Sequence, residues 1–130
     1  MHNPTSSISL IADDIKSQEF VKFIEKHPLS KSLTFKHQKL ENEGNRGVMD
    51  WLIIILSSDI GKDFVVAFLY DLIKFGINRL KGIFNAKPLA IIILKNGKEI
   101  KLPKTMAEEE IKAELHDCID KGIKSLKFDR

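Results

Sequence analysis

The sequence predicts an α+β domain, and three stretches carry that prediction. Residues 59–84, DIGKDFVVAFLYDLIKFGINRLKGIF, gather polar side chains (Asp63, Asp71, Lys74, Asn78 and Lys81, continued by Asn85 just beyond) in one narrow stripe at helical spacing, and the rest is almost all apolar. Residues 89–102, LAIIILKNGKEIKL, set two β-forming runs on either side of Asn96 and Gly97, whose tolerance of positive φ suits a type I′ hairpin turn. Thr105 and Glu108 form a T-x-x-E capping box ahead of a helix with an acidic first turn and a seam of Ile111, Leu115, Cys118 or Ile119, and Ile123.

The remaining elements follow in chain order. Thr5 to Ala12 alternates, with Ile8, Leu10 and Ala12 on one side, and reads as a short strand. Asp13 and Asp14 offer N-caps for a helix running to about Lys26, with Phe20, Phe23, Ile24 and His27 as its apolar seam and Pro28 marking its end. Ser32 to Lys39 alternates again and gives a second strand, exposed on one face. Residues 40–49, LENEGNRGVM, hold two glycines and little apolar content, which suits a mobile loop. WLIIIL, residues 51–56, is ambiguous between strand and helix by periodicity, and its length and three isoleucines favour a buried strand. Gly61, Gly76 and Gly82 fall inside the long helix, where close packing at Gly76 or fraying near Gly82 is the expectation. The last helix stops near Gly122, and residues 124–130 read as a flexible tail or a short added strand.

The resulting order, β-α-β-β-α-β-β-α, begins as a split β-α-β, ferredoxin-like sandwich and adds a hairpin and a C-terminal helix. One domain over residues 1–130 is expected at this length. A hydrophobic fraction of 43% beside 30% charged residues argues against disorder over most of the chain. A lone cysteine, Cys118, forms no internal disulfide, and the first residues lack a basic and apolar leader, so a cytoplasmic location is expected. A membrane span over residues 51–73 fails because Asp59, Lys62 and Asp63 sit near its centre, each costing roughly 2.5–3.5 kcal/mol to insert. The net charge of +3 is concentrated in residues 51–104 and falls short of the balance typical of nucleic-acid binding.

Few residues suggest chemistry. His116, Asp117, Cys118 and Asp120 cluster as HDCID, but Cys118 belongs to the apolar seam and no second ligand pair appears, so a solvated helix face is the simpler reading. As a nucleophile Cys118 would be hindered by Asp117 and Asp120, which disfavour its thiolate. Helix capping accounts for Asp13 and Asp14 without a metal, and His27 and His37 read as boundary histidines. The phosphate-loop, dinucleotide, zincin and nucleophile-elbow motifs are absent, so no catalytic residue, cofactor or metal is assigned and the protein is not expected to be an enzyme. Lys87, Lys95, Lys98, Lys101 and Lys104 on and beside the hairpin are candidate phosphate or nucleic-acid contacts, although lysine at a sheet edge also guards against aggregation.

The segments FLYDLIKFGINRLKGIF and AIIILKNGKEIKLP, followed by a helix with an acidic start, resemble the effector-associated constant component domains of bacterial conflict systems over about residues 57–123. The resemblance implies a small non-enzymatic component working beside an effector, such as a protease or a nucleotide-dependent module, and transfers no catalytic residue.

The expected function is therefore protein–protein interaction, as an adaptor that binds a partner protein or itself. A helix over residues 59–84 would be about 37–39 Å long, against roughly 17–27 Å for strands of five to eight residues, and would overhang its sheet. Ile77, Leu80, Ile83 and Phe84, rimmed by Arg79 and Lys81, are the proposed contact surface.

Overall fold

A computed structural model describes residues 6–12, 17–41, 48–57, 59–82 and 87–129. Its elements are β1 (Ser6–Ala12), α1 (Ser17–Lys26), a 3₁₀ turn (Ser30–Ser32), β2 (Leu33–Glu41), β3 (Val48–Leu56), α2 (Lys62–Leu80), β4 (Leu89–Leu94), β5 (Glu99–Pro103), α3 (Glu108–Lys121) and β6 (Ile123–Asp129). The class is α+β, and WLIIIL lies in a strand. One sheet runs β2-β3-β1-β6-β4-β5. Its β2-β3-β1 portion is antiparallel throughout, as in a split β-α-β unit, and the added hairpin and C-terminal helix are present. β6 then enters between β1 and β4, parallel to β1 and antiparallel to β4, so the sheet is mixed.

All three helices cover one face of this sheet. Ile8, Leu10, Leu52, Ile54, Ile92, Leu94, Leu102, Leu126 and Phe128 point towards them, and α2 contributes Val66, Phe68, Leu69, Leu72, Ile73, Ile77 and Leu80 to the same core. The apolar surplus of α2 is taken up by the neighbouring helices. On one flank Phe75 packs against Phe20 and Phe23 of α1, with ring centroids 5.5 and 4.7 Å apart; on the other Ile111, Leu115 and Cys118 of α3 close the core. No helix of the described residues is long and apolar enough to cross a membrane.

Several boundaries differ from expectation. α2 has 19 residues, capped by Gly61 and Lys81, and at 1.5 Å per residue is about 29 Å long, so it needs no overhang. Ser57 and Asp59 instead form a turn, with the Asp59 N–H donating to Ser57 Oγ at 3.3 Å. The hairpin turn is centred on Lys95 and Asn96: the Gly97 N–H donates to the Leu94 carbonyl, Leu94 N–H donates to Lys98 O, and Gly97 takes φ 91°. That is the three-residue hairpin with a positive-φ glycine, in place of a two-residue type I′ turn. α3 is capped at Ala107 with no side-chain hydrogen bond, so the Thr105 capping box does not form. Residues 40–41 and 48–49 belong to β2 and β3 and narrow the expected loop to 42–47, which lies outside the described residues, as do Asp13 and Asp14.

Residues 124–129 are strand rather than tail. Gly122, at φ 91°, ends α3 by donating to the Cys118 and Ile119 carbonyls, and its own carbonyl accepts the Lys95 N–H at 3.0 Å, tying the hairpin tip to the start of β6. Ile123 pairs with Leu94 and Ser125 with Ile93, so a bulge places one extra residue between them and Ile123 and Leu126 are both buried three apart. Close approach at Gly76 is realised here as well, since it sits directly on the Phe128 ring of β6.

Candidate interaction surfaces

The C-terminal part of α2 is not the free apolar surface that its sequence suggests. Ile77 is 7% exposed and Leu80 1%, because both turn inward to the sheet. Arg79 is ion-paired with Glu19 of α1, and Lys81 is exposed as the helix cap. Ile83 and Phe84 lie outside the described residues.

The seams beside α2 are polar locks. His27 is anchored through both ring nitrogens: Nδ1 accepts the Leu29 N–H at 3.2 Å, which leaves the proton of the neutral ring on Nε2, 2.9 Å from Asp71 Oδ2. Its ring also meets Phe68 edge-on at 5.0 Å, so neither nitrogen faces a substrate or metal. Between α2 and α3, Lys62 donates to Asp120 at 2.6 Å and His116 Nε2 stands 3.5 Å from Asp63. Thus His116 and Asp120 reach across to α2, while Asp117 pairs with Lys121 at 2.8 Å. Among the described residues no three His, Cys, Asp or Glu side chains converge as metal ligands. Cys118 is fully buried, and burial, reinforced by Glu114 and Asp117, pushes its thiol up to about 11. It packs as a small apolar residue.

The hairpin lysines do not form one site. Lys95 and Lys98 stand at the tip, whereas Lys87 and Lys104 flank the other end, a strand length of about 20 Å away at 3.3 Å per residue. Lys101 lies between, on β5 opposite Ile91 of β4. All five are exposed, and their charge is spread along the hairpin rather than focused.

A feature that the sequence did not announce lies where β2 begins, β3 ends and α2 starts. One backbone bond joins the first two, Ser57 N–H donating to Ser32 O at 3.3 Å, and the first turn of α2 is closed by the Phe64 and Val65 amides, which both donate to Gly61 O at 3.0 and 3.1 Å. The three segments leave an open groove of about 700 Å³ with apolar walls from Leu29, Leu33, Ile55 and Ile60. Lys31 and Asp59 give its rim both signs of charge. Phe64 stands at the lip, 63% exposed, the only large apolar side chain so exposed among the described residues. Phe64 falls in the first turn of α2, where no strand or helix among the described residues covers it.

No helix or strand among the described residues covers the sheet face away from the helices. Ile53 and Ile55 of β3, Ile11 of β1 and Ile93 of β4 are only half-buried there, while Ser125 and Ile91 on the same face are buried by their neighbours at 6% and 7% exposure. No protein-family model matches this chain, and neither a curated protein nor a solved structure matches it.

Proposed function

We propose that this protein is a small non-enzymatic interaction module of the cytoplasm that holds a partner protein through the groove at the start of α2, with Phe64 as the anchor. The observation that carries this reading is the exposed Phe64 ring beside apolar walls. Leaving such a ring in water forgoes about 1.5–3 kcal/mol of burial that an apolar side chain of a partner would recover. Scattered apolar residues on a surface need no explanation, but a ring at the lip of an apolar groove gives both an anchor and its receptacle. The resemblance over residues 57–123 would make the partner an effector of a bacterial conflict system, with this chain as its adaptor.

The test compares wild-type protein and Phe64→Ser as baits. Because the ring is largely exposed, Phe64→Ser should change unfolding free energy by no more than about 0.5 kcal/mol. A protein retained by wild type and lost by Phe64→Ser is then purified and titrated against both forms. At least a tenfold weaker Kd for Phe64→Ser supports the proposal; equal binding by the two forms overturns it.

A further inference from the structure

We infer that the uncovered sheet face is a self-complementary interface, and that its occupant is the same face of a second copy of this chain. Five strand pairings define a continuous row across all six strands: Lys36 opposite Ile53, Ile53 opposite Ser9, Ser9 opposite Ser125, Ser125 opposite Ile93, and Ile93 opposite Glu99. Strand alternation places this row on the side away from the helices, since Ile54, Leu10, Leu126 and Ile92, each one residue along from a member of the row, are in the core. Read across the sheet, the row is Lys-Ile-Ser-Ser-Ile-Glu. It is symmetric in side-chain type about its centre and opposite in charge at its ends.

A two-fold axis lying between two such faces, about 15° from the strand direction and passing midway between β1 and β6, reverses the row. It lays Ile53 on the partner copy's Ile93, Ser9 on Ser125, and Lys36 on Glu99. Each contact occurs twice, as an isologous interface requires. The side chains also suit the geometry of packed sheets. Aligned sheets rotate by about 30°, and strands spaced about 4.8 Å apart put the ends of the row about 12 Å from the axis, so those ends are displaced sideways by about 6 Å. Long, flexible Lys36 and Glu99 stand where that displacement must be spanned, and short Ser9 and Ser125 let the sheets come closest at the centre, Ser125 lying recessed at 6% exposure in its own chain.

The strands that flank the central pair make the same demand. Residues 51–56 of β3 and the whole of β4 read WLIIIL and LAIIIL, runs without polar alternation, which is the pattern of strands buried on both faces. The helices supply only one cover. On the next row Lys127 would lie over the partner copy's Ile11, its aliphatic stem making the contact and its ammonium reaching out along the strand.

The experiment is sedimentation equilibrium of the full chain from 1 to 500 µM, with urea unfolding of each variant at low concentration. Wild type should show a reversible monomer–dimer equilibrium within that range. Lys36→Glu sets two acids against each other at both ends of the dimer and should raise Kd about tenfold, as should Glu99→Lys; the double exchange Lys36→Glu/Glu99→Lys should return Kd to within about threefold of wild type. Both residues are exposed and at opposite edges of the sheet, so none of these variants should shift monomer unfolding. Phe64→Ser should dimerise like wild type, which separates this interface from the groove. A monomeric wild type up to 500 µM, or single variants that bind as well as wild type, or a double exchange that fails to recover, overturns the inference.

Discussion

Gly76→Ala sets two effects of known size against each other. Within a helix, alanine is favoured over glycine by about 1 kcal/mol, so helix propensity alone predicts stabilisation. The structure predicts the reverse. A Cβ at Gly76 would stand 2.5 Å from Cζ and 2.6 Å from Cδ1 of Phe128, and closer still to Cε1. The ring would have to retreat by roughly 1 Å to reach ordinary contact, and it has little room: Phe128 is 3% exposed and stacks on Phe20 at 5.5 Å. Overpacking of this kind costs about 1–3 kcal/mol, and the rigid backing of Phe20 argues for the upper part of that range. The net expectation is a loss of about 1–2 kcal/mol, read as a lower urea midpoint with an unchanged m-value. In a Phe128→Leu background the obstruction is smaller, so the same substitution should be neutral or stabilising, and the difference between backgrounds isolates the contact. A Gly76→Ala protein more stable than wild type would refute the seating of α2 on β6.

Two further outcomes follow from burial and charge. Leu80→Ala removes a side chain 1% exposed in the core and should cost about 2–5 kcal/mol by urea unfolding; near-wild-type stability with weakened association would instead restore the end of α2 as a contact surface. Tyr70 is the only tyrosine, so phenolate absorbance titrates it alone. Its pKa lies above 10.0, first through desolvation and then through its hydrogen bond to Glu108 and that carboxylate's charge. A raised folded value means that the neutral hydroxyl's contribution is complete below pH 10 and is lost as pH climbs through the folded pKa. Glu108→Gln should therefore bring the absorbance midpoint down, and an unmoved midpoint would dismiss the Tyr70–Glu108 contact.

What the sequence made legible was the set of local periodicities. β4 and β5 about Asn96–Gly97, the Phe20 and Ile24 seam of α1, and the Ile111, Leu115 and Cys118 seam of α3 all rest on residues close in the chain, and all are in place. β6 was legible only as one of two alternatives, tail or strand, because its bulge buries Ile123 and Leu126 at a spacing of three and erases the alternation that marks a strand. The extent of α2 was overread for a related reason. Apolar residues beyond Leu80 continue its pattern, and periodicity carries no information on where a chain leaves the helix. Ile77 and Leu80 were placed on a free surface only because that helix was taken to be too long for its sheet.

A helix wheel or a strand alternation identifies which side chains share a face, but not which element lies across from them. That distinction governs both proposed surfaces. Beyond Phe64 in its first turn, the apolar excess of α2 looked unpartnered and is satisfied by α1 and α3, through Phe20 and Phe23 on one side and Leu115 on the other. The excess of β3 and β4 looked satisfied, since an unbroken apolar run reads as a buried strand, yet Ile53 and Ile93 are only half-buried because the helices cover a single face. Unmet burial thus lies at Phe64 and on the sheet rather than at the end of α2. It is Ile53 and Ile93, with Lys36 and Glu99 at the edges of their row, that a further layer would cover, whereas the end of α2 has its burial supplied within the chain.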